Sequence, residues 1–253
     1  MDRVEASEAV SARLFGENVG ATAGNDPELM TILRRYIFGD TFALGDLDER
    51  TRELITIVLL TTLQTLPQLR SHVTAALNIG VPAIEIREAI YQCAGFAGYP
   101  RTLNALDVAN TVFAEHGLAL PLPAQGTVTE ETRLEAGRAI QEPIYGTAMR
   151  TNLADVPDGL GVAMADLLTA HGFGDYYTRT GLDLPTRELL VLCILIALGD
   201  VPVQIASHAV GNLRLGTSRS TLIAAAIHTA PYLGFPRAVN AVRIIKDVPD
   251  PLG

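Results

Sequence analysis

Apolar residues recur along this chain at intervals of three and four, and hardly ever in simple alternation. Leu54, Ile57, Val58 and Thr61 mark one helical face, and Asp48 stands where a helix N-cap belongs. Pro67 restarts the chain as a second helix, expected from Gln68 to Ile79, with Gly80 as its stop. Pro82 then sits in a first turn, with Glu85 and Glu88 where the helix dipole favours acids, and that helix is expected to reach about Ala94. Gly95, Gly98 and Pro100 break it, and a last helix follows to about His116. No stretch alternates apolar and polar residues long enough to make a strand. The pattern predicts an all-α fold. The longest apolar run, Leu189 to Leu198, is a buried helix rather than a membrane span, which needs ~20 such residues.

The same punctuation occurs twice. Phe38-Gly-Asp40 falls on Phe173-Gly-Asp175, and Thr51-Arg-Glu-Leu54 on Thr186-Arg-Glu-Leu189, at an offset of 135. After one inserted residue, Ser71-His72 meets Ser207-His208 and Gly80 meets Gly216. Gly98, Pro100, Arg101 and Asn104 meet Gly234, Pro236, Arg237 and Asn240. Upstream the offset is 130, where Glu5-Ala6 and Gly16 meet Glu135-Ala136 and Gly146. An ordered, collinear match of this length is a tandem duplication of a six-helix unit. The first copy is expected over 1–117 and the second over 130–253. The stretch 118–129, with its Leu-Pro-Leu-Pro run, is a linker.

Composition narrows the function classes. With 48% apolar and 19% charged residues, the chain can build a sizeable core. A net charge of -9, with basic residues scattered singly or in short pairs, provides no stripe for nucleic acid. The only cysteines, Cys93 and Cys193, are too far apart in sequence for CxxC chemistry or a cysteine-based zinc site. No His-x3-His motif or carboxylate cluster suggests a metal, and no glycine-rich loop suggests a nucleotide. The acidic N-terminus lacks an apolar signal region, so a cytoplasmic setting and no membrane association are expected.

Certain strings carry a family resemblance. Arg52-Glu-Leu-Ile, Ser71-His-Val-Thr-Ala-Ala-Leu-Asn-Ile-Gly80, Glu85-Ile-Arg-Glu-Ala-Ile-Tyr-Gln92 and Phe96-Ala-Gly-Tyr-Pro100 together resemble the carboxymuconolactone decarboxylase family. Leu14-Phe-Gly16 and Arg35-Tyr-Ile-Phe-Gly39 resemble its upstream segments, and the second copy carries the set again. The resemblance implies a helical protein that assembles into trimers or hexamers; for two fused copies, a trimeric homo-oligomer is expected. It implies a cofactor-free carboxy-lyase acting on a small carboxylated lactone. The family also contains alkylhydroperoxidase D-like thiol peroxidases, with a Glu, a CxxC pair and a His. Counted from Glu53, those thiols would stand at Thr65 and Gln68 and the histidine at His72, so the spacing is kept without the sulfurs. A peroxidase-like oxidoreductase and a non-catalytic, ligand-binding oligomer remain the alternatives.

The duplicated polar residues are the candidate chemistry. His72 and His208 suit general acid–base roles because imidazole titrates near neutral pH. Glu53 and Glu188 are carboxylates that would orient them, although placement near a helix N-terminus explains an acid equally well. In a simple antiparallel hairpin turning near Leu66, Glu53 and His72 would be offset by roughly 10 Å, so direct contact would require a kink, a water bridge or another segment. Arg101 and Arg237, after the Gly-x-Pro turn, and Arg35 are candidates to grip a substrate carboxylate. Gln92, with its partner His228, is a candidate lining residue. The first copy keeps Arg35, Asn78 and Gln92 where the second has Ala170, Arg214 and His228, which predicts one competent and one degenerate copy.

Overall fold

The structure, a computed structural model, describes residues 2–16 and 25–251. Its first half runs α1 (Arg3–Phe15), α2 (Pro27–Arg34) continuing as a π-helical turn (Arg35–Thr41), α3 (Glu49–Leu63), α4 (Leu66–Asn78), α5 (Ala83–Gln92), the short α6 (Ala94–Ala97) and α7 (Tyr99–Glu115). No helix occurs between Glu115 and Arg133. The second half runs α8 (Arg133–Tyr145), α9 (Ala148–Asn152), a 3-10 turn (Pro157–Gly159) and α10 (Leu160–Leu167), which continues as a π-helical turn (Leu168–Tyr177). It ends with α11 (Leu184–Leu198), α12 (Pro202–Arg214), α13 (Arg219–His228), the short α14 (Ala230–Leu233) and α15 (Phe235–Asp247). Every element of the described residues is helical, and the halves match element for element apart from α9 and the 3-10 turn. No helix among the described residues is long and apolar enough to cross a membrane.

Local chemistry explains the elements. The Asp48 carboxylate caps α3 by accepting from the Thr51 amide at 2.7 Å, and Asp183 caps α11 in the same way at 2.8 Å. Pro67 and Pro202 stand in the first turns of α4 and α12, where a missing N–H costs nothing. The helix expected to reach Ala94 instead breaks at Cys93 and resumes as α6, which ends at Gly98 with φ 84°. Gly39 lets α1 lie directly on the π turn: a Cβ there would stand 2.5 Å from the Arg3 carbonyl oxygen.

The core lies where the halves meet. Helices α3 and α11 are buried almost all round, from Arg52 to Thr62 and from Arg187 to Ala197, and pack against each other. The short helices cross over: α14 of the second half rests on α3, and α6 of the first rests on α11. This exchange places second-half residues against the first half's polar pair, and the reverse.

Two buried arginines anchor the approaches to α3 and α11. Arg52 donates to the carbonyls of Leu47 at 3.0 Å and Leu44 at 2.8 Å, and Arg187 to those of Arg179 and Thr180, both at 3.0 Å. Each also meets a residue from the opposite half. Arg187 donates to the Gln92 carbonyl oxygen at 3.2 Å, and Arg52 approaches His228 Nδ1 at 3.4 Å.

Candidate active site

Glu53 on α3 and His72 on α4 are in direct contact: His72 Nδ1 donates to Glu53 Oε2 at 2.8 Å. This corrects the offset expected of a simple hairpin. The turn closes early, at Gln64 with a left-handed φ of 60°, and α4 already begins at Leu66. Counting from the actual helix ends, the axial offset falls to ~6 Å, within the joint reach of the two side chains. Glu53 is fully buried and His72 nearly so. His72 Nε2 makes no hydrogen bond among the described residues, and this is the nitrogen left for chemistry.

The imidazole forms part of the wall of a cavity of about 430 Å³. Leu60 and Leu63 of α3, Met30 and Leu33 of α2, Ile37 and Phe38 of the π turn and Phe15 of α1 make the surface mostly apolar. The polar groups are few. Arg34 contributes a guanidinium, whose nearest acid is the exposed Glu8 at 3.7 Å. Thr65 and Gln68, the positions of the thiol pair in a peroxidase, also face this space. Tyr232 closes one side from the second half, its ring edge-on to His72 at 5.8 Å.

Other candidates stand elsewhere. Arg35 does not line the cavity; its charge acts on Asp2, the N-cap of α1. Successive helix residues point about 100° apart, which brings Arg34 to the site in its place. Gln92 is 2% exposed and committed to Arg187 at the seam between halves. Arg101 is exposed, and its carbonyl accepts from Gln64 at 2.9 Å. Arg237 donates to the Ala197 carbonyl near the C-terminal end of α11. Asn78 braces α4 on the Leu14 carbonyl at 2.8 Å, and Arg214 does the same for α12 on that of Ile144. His228 is buried; burial first, and then the Arg52 cation, push its pKa down to about 3.

The second half repeats the pair but surrounds it differently. His208 Nδ1 donates to Glu188 Oε1 at 2.7 Å. The Tyr145 hydroxyl also donates to that oxygen, and lies 2.8 Å from His208 Nδ1. Tyr177 donates to Glu188 Oε2 at 2.6 Å. Burial alone would raise the Glu188 pKa, but the His208 charge and the hydrogen bonds from His208, Tyr145 and Tyr177 outweigh it and hold the pKa low. In the first half, Phe15 and Phe42 occupy the places of these tyrosines and bring no hydroxyl. Arg34 is matched by Thr169, whose hydroxyl bonds to Gln141. Among the described residues, no group of three His, Cys, Asp or Glu is placed to hold a metal ion.

Two helical units, each with a Glu–His pair between its third and fourth main helices, define the class. The carboxymuconolactone decarboxylase family model matches residues 27–111 and again 163–247, and the chain belongs to that family. The first half thus belongs with the second as a tandem copy, and the thiol pair is absent from both. Among similar proteins, a 4-carboxymuconolactone decarboxylase of Acinetobacter baylyi is 33% identical over 92 residues, 36% of this chain and 69% of that protein. An uncharacterized 15.0 kDa protein of Paracoccus denitrificans is 44% identical over 80 residues, 31% of this chain and 60% of that protein. A nitrosuccinic acid decarboxylase of Metarhizium robertsii is 30% identical over 77 residues, 30% of this chain and 54% of that protein.

Proposed function

We propose that the chain is a carboxy-lyase that removes carbon dioxide from a small carboxylated lactone or related acid, in the cavity of its first half and without a cofactor. The observation that carries this reading is the Glu53–His72 pair set in the wall of an apolar cavity that holds a single arginine. Family membership and relatives named as decarboxylases support it.

In this reading, Arg34 binds an oxygen that the substrate retains, and the departing carboxylate faces the apolar wall. A carboxylate poorly solvated there gains as its charge disperses into the transition state. The C–C bond breaks, carbon dioxide leaves, and the electron pair enters the conjugated carbonyl as an enolate. His72, protonated, then delivers its Nε2 proton to carbon and regains one from water. Glu53 fixes the imidazole's tautomer and stabilises its cation. No net oxidation or reduction occurs.

The thiol-peroxidase alternative has little to draw on. Thr65 and Gln68 carry no sulfur, and both cysteines are buried. Burial pushes the Cys193 thiol up to about 12 and that of Cys93 up as well, so neither supplies a ready thiolate. These unpaired thiols suit the reducing cytoplasm, which completes the proposal on location.

The test is carbon dioxide release from 4-carboxymuconolactone and from nitrosuccinic acid. His72→Ala is expected to lower turnover ~100-fold or more, the scale of a lost general acid, and His208→Ala to change it little. Equal losses would refute a single competent half, and binding without turnover would favour the non-catalytic reading.

Assembly belongs to the same proposal: a closed homo-oligomer, a trimer of two-unit chains. The matching helices α2 and α10 leave Leu29 and Ile32, and Leu160, Met164 and Leu167, more than half exposed. Symmetric association would cover these stripes. Light scattering is expected to give three times the chain mass, and a monomer that persists at high concentration would remove this part.

A further inference from the structure

A second polar cluster stands outside the first half's cavity, where α7 meets the π-helical turn of the second half. A groove of about 310 Å³ lies there, lined by Tyr99, Leu103 and Leu106 of α7 and by Tyr176 and Arg179. Its polar side chains form a hydrogen-bonded chain with one direction. Neutral His171 donates from Nδ1 to Asp175 Oδ2 at 2.8 Å, which makes its Nε2 an acceptor. The Tyr99 hydroxyl, 3.2 Å from that nitrogen, donates to it. Tyr99 has then spent its proton, so the Tyr176 hydroxyl, 3.0 Å away, donates to Tyr99. Arg133 holds Asp175 from the other side at 2.8 Å. The chain ends at the Tyr176 oxygen, which offers lone pairs and accepts from no donor among the described residues.

Arg179 supplies the complementary group. Glu88 holds its Nε and Nη2 at 2.8 and 3.0 Å, while Nη1 makes no hydrogen bond among the described residues. Glu88 also pairs with Arg87 and Arg187. Three guanidiniums thus share one carboxylate, and positive charge is in excess beside the groove of a chain whose net charge is -9.

The fold does not require this set. At the equivalent place in the duplication, Tyr36 stands for His171, Phe235 for Tyr99, Thr41 for Tyr176 and Leu44 for Arg179. The Tyr36 and Phe235 rings pack there at 5.9 Å, as those of His171 and Tyr99 do at 5.8 Å. The acid and its arginine are kept, as Asp40 and Arg3 at 2.8 Å. We propose that the groove is a second ligand site and takes a small hydroxy acid, whose hydroxyl donates to the Tyr176 oxygen and whose carboxylate accepts from Arg179 Nη1. Leu103 and Leu106 give its carbon body an apolar seat.

The probes are mandelate and phenylacetate, which differ only in that hydroxyl, titrated into the full chain by calorimetry at pH 8. Mandelate is expected to saturate and to bind about fivefold or more tighter than phenylacetate, the usual scale of one hydrogen bond. Tyr176→Phe keeps the ring and should erase that preference. Arg179→Leu leaves Arg87 and Arg187 with Glu88, and should weaken both probes about tenfold or more while the preference stays. Histidine NMR locates the ligand: mandelate should shift the His171 resonances and leave those of His72 in place.

The proposal is overturned if mandelate does not saturate, if it binds no tighter than phenylacetate, or if its preference survives in Tyr176→Phe. Affinities unchanged by Arg179→Leu overturn it as well, and so does a shift of His72 in place of His171, which would seat the acid in the first half's cavity. Should Arg179→Leu fail to fold, the Tyr176→Phe comparison decides alone.

Discussion

Removing His72 and removing His208 delete the same imidazole from equivalent places, yet their effects on stability should differ. The cavity left behind is similar in both, so that contribution largely cancels. The carboxylates do not cancel. Glu53 makes one hydrogen bond among the described residues, to His72, and its other oxygen has no partner. His72→Ala therefore strands a fully buried carboxylate, the kind of loss that costs about 3–5 kcal/mol. After His208→Ala, Glu188 still accepts from Tyr145 and Tyr177. It loses one of three hydrogen bonds, one made to a charged carboxylate and worth about 1.5–3 kcal/mol. Taking the middle of each range, the difference is about 2 kcal/mol. For a chain of this size, that separates the melting temperatures by roughly 4–8 °C. Scanning calorimetry at pH 7, at matched chain concentration, measures it, with His72→Ala melting lower. A His208→Ala variant that melts at the same temperature as His72→Ala, or below it, would falsify the contrast drawn between the two carboxylates.

Two further outcomes follow from other residues. Arg34→Leu is expected to raise KM for a carboxylated lactone ~10-fold or more by removing the cavity's one guanidinium, and Arg35→Leu to leave it within a few-fold; the reverse order in steady-state kinetics would return the anion contact to Arg35. His228 titrates near 3 in the folded chain against 6.5 ordinarily, so the unfolded chain takes the proton first. Its contribution is intact above pH 6.5 and erodes as pH falls toward 3, by up to about 5 kcal/mol. His228→Gln, the residue type found at Gln92, should flatten that acid limb in urea titrations run from pH 7 to pH 4, and an unchanged slope would mean that His228 is not held neutral.

The fold was legible in the sequence because its signals are local. Asp48, Pro67, Gly80 and Gly98 act within one turn of where they stand, and the duplication doubled every signal. The Glu–His pairs were legible as residues but not as contacts. A two-residue shift in the turn at Gln64 decides whether the side chains meet, and propensities do not resolve such a shift. Arg34 was passed over for Arg35 because adjacent helix residues differ only in direction, which depends on how α2 lies over α1. Gln92 and His228 looked like pocket residues because they occupy matching places, but those places face the seam between halves. Tyr232 was visible within Tyr232-Leu-Gly-Phe-Pro236 and carried no signal as a site residue. Only the crossing of α6 and α14 brings it to His72, some 160 residues away.

The peptide linkage between the halves has a genetic consequence. In a dimer of identical single units, each substitution appears twice, and every site changes together. A hydroxyl gained at the exchanged aromatic position would then face both histidines, and one gained at the counterparts of Tyr145 and Tyr177 would crowd both carboxylates. Here Phe96 and Tyr232 are separate codons, as are Phe15 and Tyr145, so one pocket can be filled for rigidity while its twin stays open. Titration of such a chain with a cavity ligand should therefore saturate at one equivalent rather than two.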